Sequence, residues 1–423
     1  MRISTIQAFN NGVRGIQDNY AQVSRTQEQV SSGKRILSPA DDPVATVRLL
    51  QLGQQGSQIK QYEDNLRAAR NSLVQEESVL NGVNNSLQRV REISLMAGNG
   101  SYSVQDRQAL AQELGELEDE LFQLFNTRNA RGEYLFGGYQ SDQAPFVRES
   151  DGSYSYQGDE GQRSIQIGSS KMVAINDSGK SLFVDVANVN RVNTAAQPFD
   201  PANPGNVRIS LGEVENKRVY DEDFYPNDGI TIRIGVDAET YEVLDTAGNP
   251  LLPPVTGDLE AGPDGSFSIR HAGVVVKLDG ELQENDEFTV DRGDLTPASD
   301  NREKRSILDT VALLRDTLAN DGDDTESRLQ RRDVLSLSVS NIDNAMNQVL
   351  GVQTSLGARL NIVDSSENEL AESKLINQTI TSELEDLDYA EALSRLSMQS
   401  VVLEAAQQSF VKISSLNLFN FIR

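Results

Sequence analysis

Cysteine and tryptophan are absent from this chain, and histidine occurs once, at His271. Without cysteine there is no disulfide, no thiolate zinc site and no thiol nucleophile. One histidine excludes multi-histidine metal sites and leaves a hydrolase triad a single candidate. That candidate lies in Ser268-Ile269-Arg270-His271-Ala272-Gly273-Val274, at a predicted strand start, where a surface strand residue is expected rather than a base. No apolar run approaches the ~20 residues that a membrane span needs. Met1-Arg2-Ile3-Ser4-Thr5-Ile6-Gln7 is followed by amphipathic sequence and not by an apolar h-region, so no cleaved signal peptide is expected. Cations are scarce, 38 Lys and Arg against 64 Asp and Glu for a net charge of −26. That balance argues against nucleic acid and membrane as partners, since both are bound through Lys and Arg.

The charge is unevenly placed. Residues 141–300 hold 29 acidic and 12 basic side chains, whereas the first 40 residues hold five basic and two acidic. An acidic middle suits a solvent-facing domain that does not self-associate; contacts are expected at the ends. With 423 residues, 37% of them hydrophobic, the chain can bury two to four domains.

Both ends are patterned as long amphipathic helices. Ile6, Phe9, Val13, Ile16, Tyr20, Val23 and Val30 keep alternating steps of three and four, broken only by Gln27. Near the finish Tyr389, Leu396, Leu403 and Phe410 recur every seven residues, with Leu393 and Ile413 beside them. Stripes this narrow have the width of a coiled-coil seam, and neither can be buried by its own helix. The candidate assembly interface is therefore Ile6, Phe9, Val13, Ile16, Tyr20, Val23, Tyr389, Leu396, Leu403, Phe410 and Ile413.

The first predicted helix spans about 4–31 and stops at Ser31-Ser32-Gly33. Asp42 and Pro43 read as the N-cap and first position of a second helix reaching about 97. Its series of Leu52, Ile59, Tyr62, Leu66, Ala69, Leu73, Leu80, Val83, Leu87 and Val90 is interrupted by Gln55, Glu76 and Ser94. Ser103 and Asp106 resemble a capping box for a third helix ending near Arg128. From about 133 to 300 short alternating runs such as Ser164–Ile167 and Thr231–Ile234 predict strands between Gly, Pro, Asn and Asp clusters. Gln197–Gly205 is the expected internal boundary there. Helical pattern returns near 302, breaks at Asn320–Asp324, and is predicted to run from about 327 to 417 with a register slip at Leu375–Leu384.

Signals for chemistry are weak. Gly179-Lys180-Ser181 resembles the end of a phosphate-binding loop, but position 174 is Ala where the earlier glycine belongs. Asp321–Glu326 lacks the spacing of a twelve-residue calcium loop and reads as a solvated helix–helix turn. Ser31-Ser32-Gly33-Lys34 matches a Ser-x-x-Lys pair only superficially, at a helix end with no partner motif. The apolar stripes are too narrow for a lipid-binding face. No catalytic residue, cofactor or metal set is expected, and no enzyme.

Several segments resemble the flagellin superfamily, specifically its hook–filament junction branch. They are Met1–Thr5, Ser31–Ile36, Pro39–Ala45 with Pro43 in place of the usual alanine of flagellin, and Gly132–Gly138 with Pro145-Phe146. Tyr154–Gly161, Gly357–Asn361, Asp386–Ala392, Leu403–Ala406 and Leu416–Ile422 continue the likeness. It covers about 1–185 and 300–423, and leaves 186–300 unplaced.

The resemblance implies an α+β structural subunit with long N- and C-terminal helices forming an elongated coiled-coil and helical-bundle rod, and an inserted, mainly antiparallel β-domain. Residues 1–40 and 380–423 would form the terminal coiled coil. Residues 41–135 and 301–379 would form the helical rod. Residues 136–300 would make the outward acidic domain, possible lobes being 136–195 and 205–300. The implied partners are further copies of the chain, the hook-side junction protein, flagellin and a dedicated type III export chaperone. The implied location is extracellular, on the flagellum, with the termini ordering on assembly. Flagellin itself, an unrelated coiled-coil fibre or adaptor, and a sugar-binding or enzymatic β-domain are the competing readings.

Overall fold

The computed structural model describes residues 5–150, 152–198, 207–263, 265–293, 303–320 and 322–421. The likeness at Met1–Ser4 and Ile422, most of the Gln197–Gly205 boundary, and Asp321 lie outside the described residues. The helices are α1 (Thr5–Ser32), α2 (Pro43–Ala97), α3 (Val104–Phe125), the single turn α4 (Lys217–Val219), α5 (Ile307–Ala319), α6 (Thr325–Glu385) and α7 (Tyr389–Phe421). Strands fill the interval between α3 and α5. The architecture is thus helical at both ends of the chain with a central antiparallel β-region.

Local chemistry sets the helix ends. The Asp42 carboxylate accepts the Ala45 amide at 2.9 Å, so Pro43 stands in the first turn of α2, where its missing N–H costs nothing. Ser103 and Asp106 form a reciprocal capping box on α3. Asp324 accepts the Ser327 amide at 3.0 Å at the start of α6, and Asp323 pairs with Arg107 at 2.7 Å, so two carboxylates of the acidic turn serve structure. Helix α3 stops at Phe125, short of the predicted end. There Asn126 donates to the carbonyls of Phe122 and Phe146 at 3.2 and 3.1 Å and diverts the chain. The helical element read from 327 to 417, whose register slip left a break or a continuous helix open, is two helices. The register slip leads to a break at 386–388, where Asp388 accepts the Ala390 amide at 2.9 Å and caps α7.

The chain divides into two compact units. One comprises Met1–Arg67, Gln166–Lys171 and Asp364–Arg423; the other comprises Ala68–Ile165 and Met172–Val363. In the second unit the later part of α2 packs with α3, α5 and the earlier part of α6. Leu80, Leu87 and Val90 of α2, Leu114 and Leu121 of α3, Val311 and Leu314 of α5, and Val349 and Leu356 of α6 are fully buried. Each such side chain contributes about 1.5–3 kcal/mol. Ion pairs rim this core: Arg91 with Asp343 at 2.7 Å and Arg89 with Glu113 at 2.6 Å.

Two hairpins and a set of aromatic rings lead out of the bundle. Strands β1 (Phe146–Arg148) and β2 (Tyr154–Tyr156) pair antiparallel, as do β3 (Ser164–Gln166) and β4 (Met172–Ala174). The rings of Phe125, Phe136, Phe146 and Phe183 form one cluster, with Phe125 and Phe183 stacked at 3.8 Å. Above it the Asp159 carboxylate accepts the amides of Tyr139, Gln140 and Gly161 at 2.9, 3.0 and 2.6 Å. A Cβ at Gly138, whose φ is +73°, would lie 2.2 Å from an Asp159 oxygen, so the paired glycines are a packing requirement.

Beyond β5 (Val186–Ala187), which pairs with β15 (Lys304–Arg305), lies the β-domain. Strands β6 (Val192–Gln197), β9 (Gly229–Ile234), β10 (Thr240–Leu244), β11 (Pro250–Asp258) and β14 (Glu287–Arg292) make an antiparallel sheet in the order β11-β10-β9-β14-β6. A second sheet holds β12 (Phe267–His271), β13 (Val274–Asp279), β7 (Arg208–Ile209) and β8 (Glu213–Val214), with β13 central. Both sheets and the turn-forming Tyr220 and Phe224 share one core through Ile232, Val243, Ile269, Val276, Leu278 and Phe288. His271 ends a strand rather than starting one. It is half-buried, and burial pushes its pKa below the ordinary imidazole value.

Glu76, one of the polar interruptions in the α2 series, is fully buried. One carboxylate oxygen accepts the Asp177 amide at 3.0 Å, while Asp177 forms a two-pronged pair with Arg359 at 2.9 Å. Burial, reinforced by the Asp177 charge, pushes the Glu76 pKa from 4.5 up to about 8. The folded state therefore holds this proton more tightly than the unfolded chain does. The associated stability is fully present below pH 4.5 and is lost as pH rises through about 8. Glu76→Gln should remove that dependence. Denaturant titrations at pH 5.5 and 9 should show the wild-type stability, relative to the variant, falling by on the order of a few kcal/mol. An unchanged difference between the two proteins would contradict the assignment.

Candidate assembly interface

In the first unit α1 and α7 pack side by side. The rings of Phe9 and Phe410 meet with centroids 5.0 Å apart. The Thr26 hydroxyl donates to the Gln399 side-chain oxygen at 2.8 Å. On α1 the sheltered positions include Gly12, Val13, Ile16, Asn19, Val23, Thr26, Gln29 and Val30; on α7 they include Ala392, Leu396, Gln399, Leu403, Ala406 and Phe410. Of the residues expected at the seam, Val13, Ile16, Val23, Leu396, Leu403 and Phe410 are half-buried between the helices. Phe9 is half-exposed despite its ring contact, and Tyr20 and Tyr389 remain 65% and 52% exposed. The side chains of Ile6 and Ile413 lie outside the described residues.

Reading apolar residues alone misses one side of this seam. Gly12, Asn19, Thr26 and Gly33 also recur every seven residues, and the first three line it. A Cβ at Gly12 would sit 2.9 Å from the Phe410 ring, so the small residue admits the large one. The signal available in the sequence is that spacing of small and short polar residues, which a hydrophobicity count passes over.

The seam ends at a joint. Gly33 closes α1 with a φ of +71°, and its carbonyl accepts the Leu387 amide at 3.0 Å. The Arg35 amide donates to the Glu385 carbonyl at 2.7 Å, and Lys34 and Asp386 form an isolated antiparallel bridge. The Arg35 guanidinium donates to the Leu384 carbonyl at 2.8 Å. Lys34 pairs with Glu385, which raises the lysine pKa. A side chain at position 33 would also strike the Tyr389 hydroxyl, 2.9 Å from the Cβ position. On the loop itself Asp41 accepts the amides of Leu37 and Ser38 at 2.9 and 3.0 Å and pairs with Arg25. The break between α1 and α2 is thus stitched to the break between α6 and α7. The same unit contains the tip of the β3–β4 hairpin, where Asn65 donates to the Gln166 carbonyl at 2.7 Å and Lys171 pairs with Glu369.

This geometry pairs helices and orders a joint. Among the described residues no group of three or more His, Cys, Asp or Glu is placed to hold a metal ion. Among them, too, no helix is long and apolar enough to cross a membrane. The Gly179-Lys180-Ser181 segment lies in a tight helical turn, with a Cβ at Gly179 meeting Phe136, Phe146 and Tyr156 at 3.0 Å, so it is packed rather than open to a phosphate.

Residues 3–141 match the bacterial flagellin N-terminal helical region, and residues 339–422 match the bacterial flagellin C-terminal helical region. The flagellar hook-associated protein 3 of Escherichia coli (strain K12) is 26% identical over 421 residues, 99% of either chain. The Salmonella typhimurium protein of the same name is 35% identical over 183 residues, 43% of this chain and 57% of the relative. The polar flagellin F of Vibrio parahaemolyticus is 24% identical over 383 residues, 88% of this chain and 90% of that one. The crystal structure of flagellar hook associated protein-3 from Legionella pneumophila superposes with a TM-score of 0.63 at 26% identity, covering 79% of this chain and 98% of its own. A Xanthomonas campestris structure at 22% identity, with a TM-score of 0.62 and coverage of 78% and 99%, has the same fold.

Charge placed in the seam should separate the two helices. Leu403→Asp or Phe410→Lys leaves a group that costs on the order of 1–3 kcal/mol to bury unpaired. Amide exchange in α1 and α7 should then speed up by about tenfold or more, with the part of α2 that carries the fully buried Leu73, Leu80, Leu87 and Val90 unaffected. Unchanged exchange in α1 and α7 would refute the seam.

Proposed function

This chain belongs to the bacterial flagellin family, and from that premise we infer that it is the structural subunit of the hook–filament junction, on which flagellin assembly nucleates. The observation that carries this reading is the end-to-end alignment with a flagellar hook-associated protein 3, joined to the shared fold of the Legionella protein. The middle region adds to it. Two hairpins, an aromatic cluster and the Asp159 loop convert the segments that resembled the junction branch into one packed arrangement. Flagellins share both ends of the chain but are more distant relatives.

In this reading copies of the chain form a short layer between the hook-side junction protein and the first flagellin subunits. Residues 1–40 and 380–423 supply the inner contacts, 41–135 and 301–379 surround them, and the acidic residues 136–300 face outward. Export runs through the flagellar type III channel with an uncleaved N-terminus and a dedicated chaperone. The narrow α1 and α7 stripes support this, because they gain little from folding alone and more from assembly. The chain has no catalytic role here; its chemistry is burial and pairing.

Cells lacking the gene test the proposal, by electron microscopy of the surface and an assay for flagellin in the medium. Hooks without filaments, with flagellin shed as monomer, are expected. Hooks without filaments and no flagellin at all would make this chain the flagellin. Normal filaments would remove it from the junction. Complementation with Leu403→Asp should yield soluble chain that fails to restore filaments.

A further inference from the structure

The β-domain completes its apolar core without help from the long helices. That core is drawn from the domain's own sheets and turns, and among the described residues α6 supplies none of it. What α6 turns toward the domain, and toward the strand β5 that leads to it, is polar. Arg332, Ser336, Ser340, Asn344 and Gln348 follow one another in steps of four, which sets them along one face of the helix. A contact made this way removes little apolar area from water, so hydrogen bonds and charge must fix it.

The contact is closed at two places along α6. Near the helix start Arg332 donates to both carboxylate oxygens of Asp279 on β13, at 2.9 and 2.6 Å. Beside it Arg208 on β7 pairs with Asp333 at 2.9 Å and with Glu326 at 3.1 Å. Asp279 and Asp333 are each only 6% exposed, so these charges meet largely out of water. Farther along, by roughly 13 Å at ~1.5 Å per residue, Asn341 clamps the chain where it enters the domain. Its side chain accepts the Val189 amide at 2.9 Å and donates to the Asn188 side-chain oxygen at 3.0 Å, and both asparagines are buried. A cleft of about 630 Å³ starts between the two places, at Ser336 and Ser340, and continues past Asn344; Glu213 and Lys277 line its other wall. Polar walls with room for many waters are the opposite of a packed seam.

Charge explains why the end at Arg332 is shut. Residues 141–300 hold 29 acidic against 12 basic side chains, whereas the start of α6 gathers Arg328, Arg331 and Arg332. Opposite fields draw the domain onto the helix. A buried ion pair gains little over apolar packing in stability, yet removing one partner strands the other away from water. Such a cluster therefore selects one docked arrangement more than it strengthens it. We propose that the β-domain has two positions, docked along α6 and swung away from it about the Asn341 clamp, and that Arg208, Arg332, Asp279 and Asp333 are the latch that holds the docked one. Swinging opens the cleft while both sheets keep their core. The latch is a property of the single chain and stands apart from the junction role.

The chain has no cysteine, so one introduced thiol reports on the cleft. Full-length chain carrying Ser340→Cys is labelled with a maleimide, alone and combined with Arg332→Gln or Asp279→Asn. Amide exchange at Ile232 and Val276, one in the core face of each sheet, is followed in the same samples. With the latch intact the half-buried position should label slowly. Either second substitution should speed labelling by about tenfold or more and leave core exchange unchanged. Arg332→Lys keeps the charge but loses the two-pronged geometry, and should fall between. Should Arg332→Gln or Asp279→Asn fail to fold, Arg332→Lys decides by the same two readings. Labelling that stays slow in the folded variants overturns the proposal. So does labelling that rises only together with exchange at Ile232 and Val276, because the cluster would then hold the sheets together and not the domain on the helix.

Discussion

A seven-residue apolar spacing gives a stripe too narrow for a helix to bury by itself, and both compact units follow from that constraint. In α2 the repeat of Leu52, Ile59, Leu66, Leu73, Leu80 and Leu87 runs the length of the helix, and every member is buried. In the second unit α3, α5 and α6 surround the later part of the repeat and leave little of it to water. In the first unit α1 and α7 have mainly one another. Their large apolar seam residues Val13, Ile16, Val23, Leu396, Leu403 and Phe410 are half-buried where those of α2 are fully buried, a difference of partner number rather than of residue type. Since hydrophobic stabilisation scales with the area removed from water, the α1–α7 pair is held less strongly than the α2 core of the second unit. Weak packing at the two ends is also what a subunit needs if those ends are to fold fully only among neighbours.

A marginal pair still needs a fixed starting point, and the joint provides one. Chain breaks at 33–42 and 386–388 are far apart in sequence, yet their main chains pair through Arg35 with Glu385 and Leu387 with Gly33. Backbone bonds of this kind fix the register of both helices at once. A slip of α1 by one residue would lose the bridge, the Thr26–Gln399 bond and the fit of Gly12 to Phe410 together. That explains why Ser31–Ile36 and Asp386–Ala392, which seem unrelated in the sequence, stand out as motifs. They are two halves of one structure.

The sequence made the helices legible because their periodicity is long and their caps are local. Asp42 with Pro43, and Ser103 with Asp106, each act within one turn, and both were readable. The break before Tyr389 showed only as a register slip, since the Asp388 cap is one carboxylate among many in an acidic segment. The seam was half legible. Val13, Ile16, Val23, Leu396 and Leu403 were visible as hydrophobes, but Gly12 and Thr26 contribute by being small or by hydrogen bonding, and Tyr20 matches the period while facing water. Glu76 read as an interruption, and nothing local told of its burial beside Asp177 and Arg359, which come from distant parts of the chain. The β-domain was legible as strands but not as two sheets, because the order β11-β10-β9-β14-β6 depends on pairings between residues nearly a hundred positions apart.

The same contrast between adhesive and non-adhesive surfaces governs the β-domain. An open five-stranded sheet leaves an edge at β11, and an edge strand can recruit another chain. Here β11 carries Pro250, Pro253 and Pro254, which cannot donate to a ladder, and its register with β10 shifts between Val243 and Leu244. Leu252, the most exposed large hydrophobic residue on the strand, is flanked by these prolines and presents no regular edge. The surrounding residues 141–300 add 29 acidic side chains against 12 basic. Prolines block pairing at short range and charge opposes approach at long range, within the ~8 Å over which physiological salt leaves charges unscreened. A subunit whose middle repels its own copies can associate only through surfaces that lack that charge. In the junction role proposed above, assembly at the helical ends would be secured as much by what the β-domain prevents as by what α1 and α7 attract.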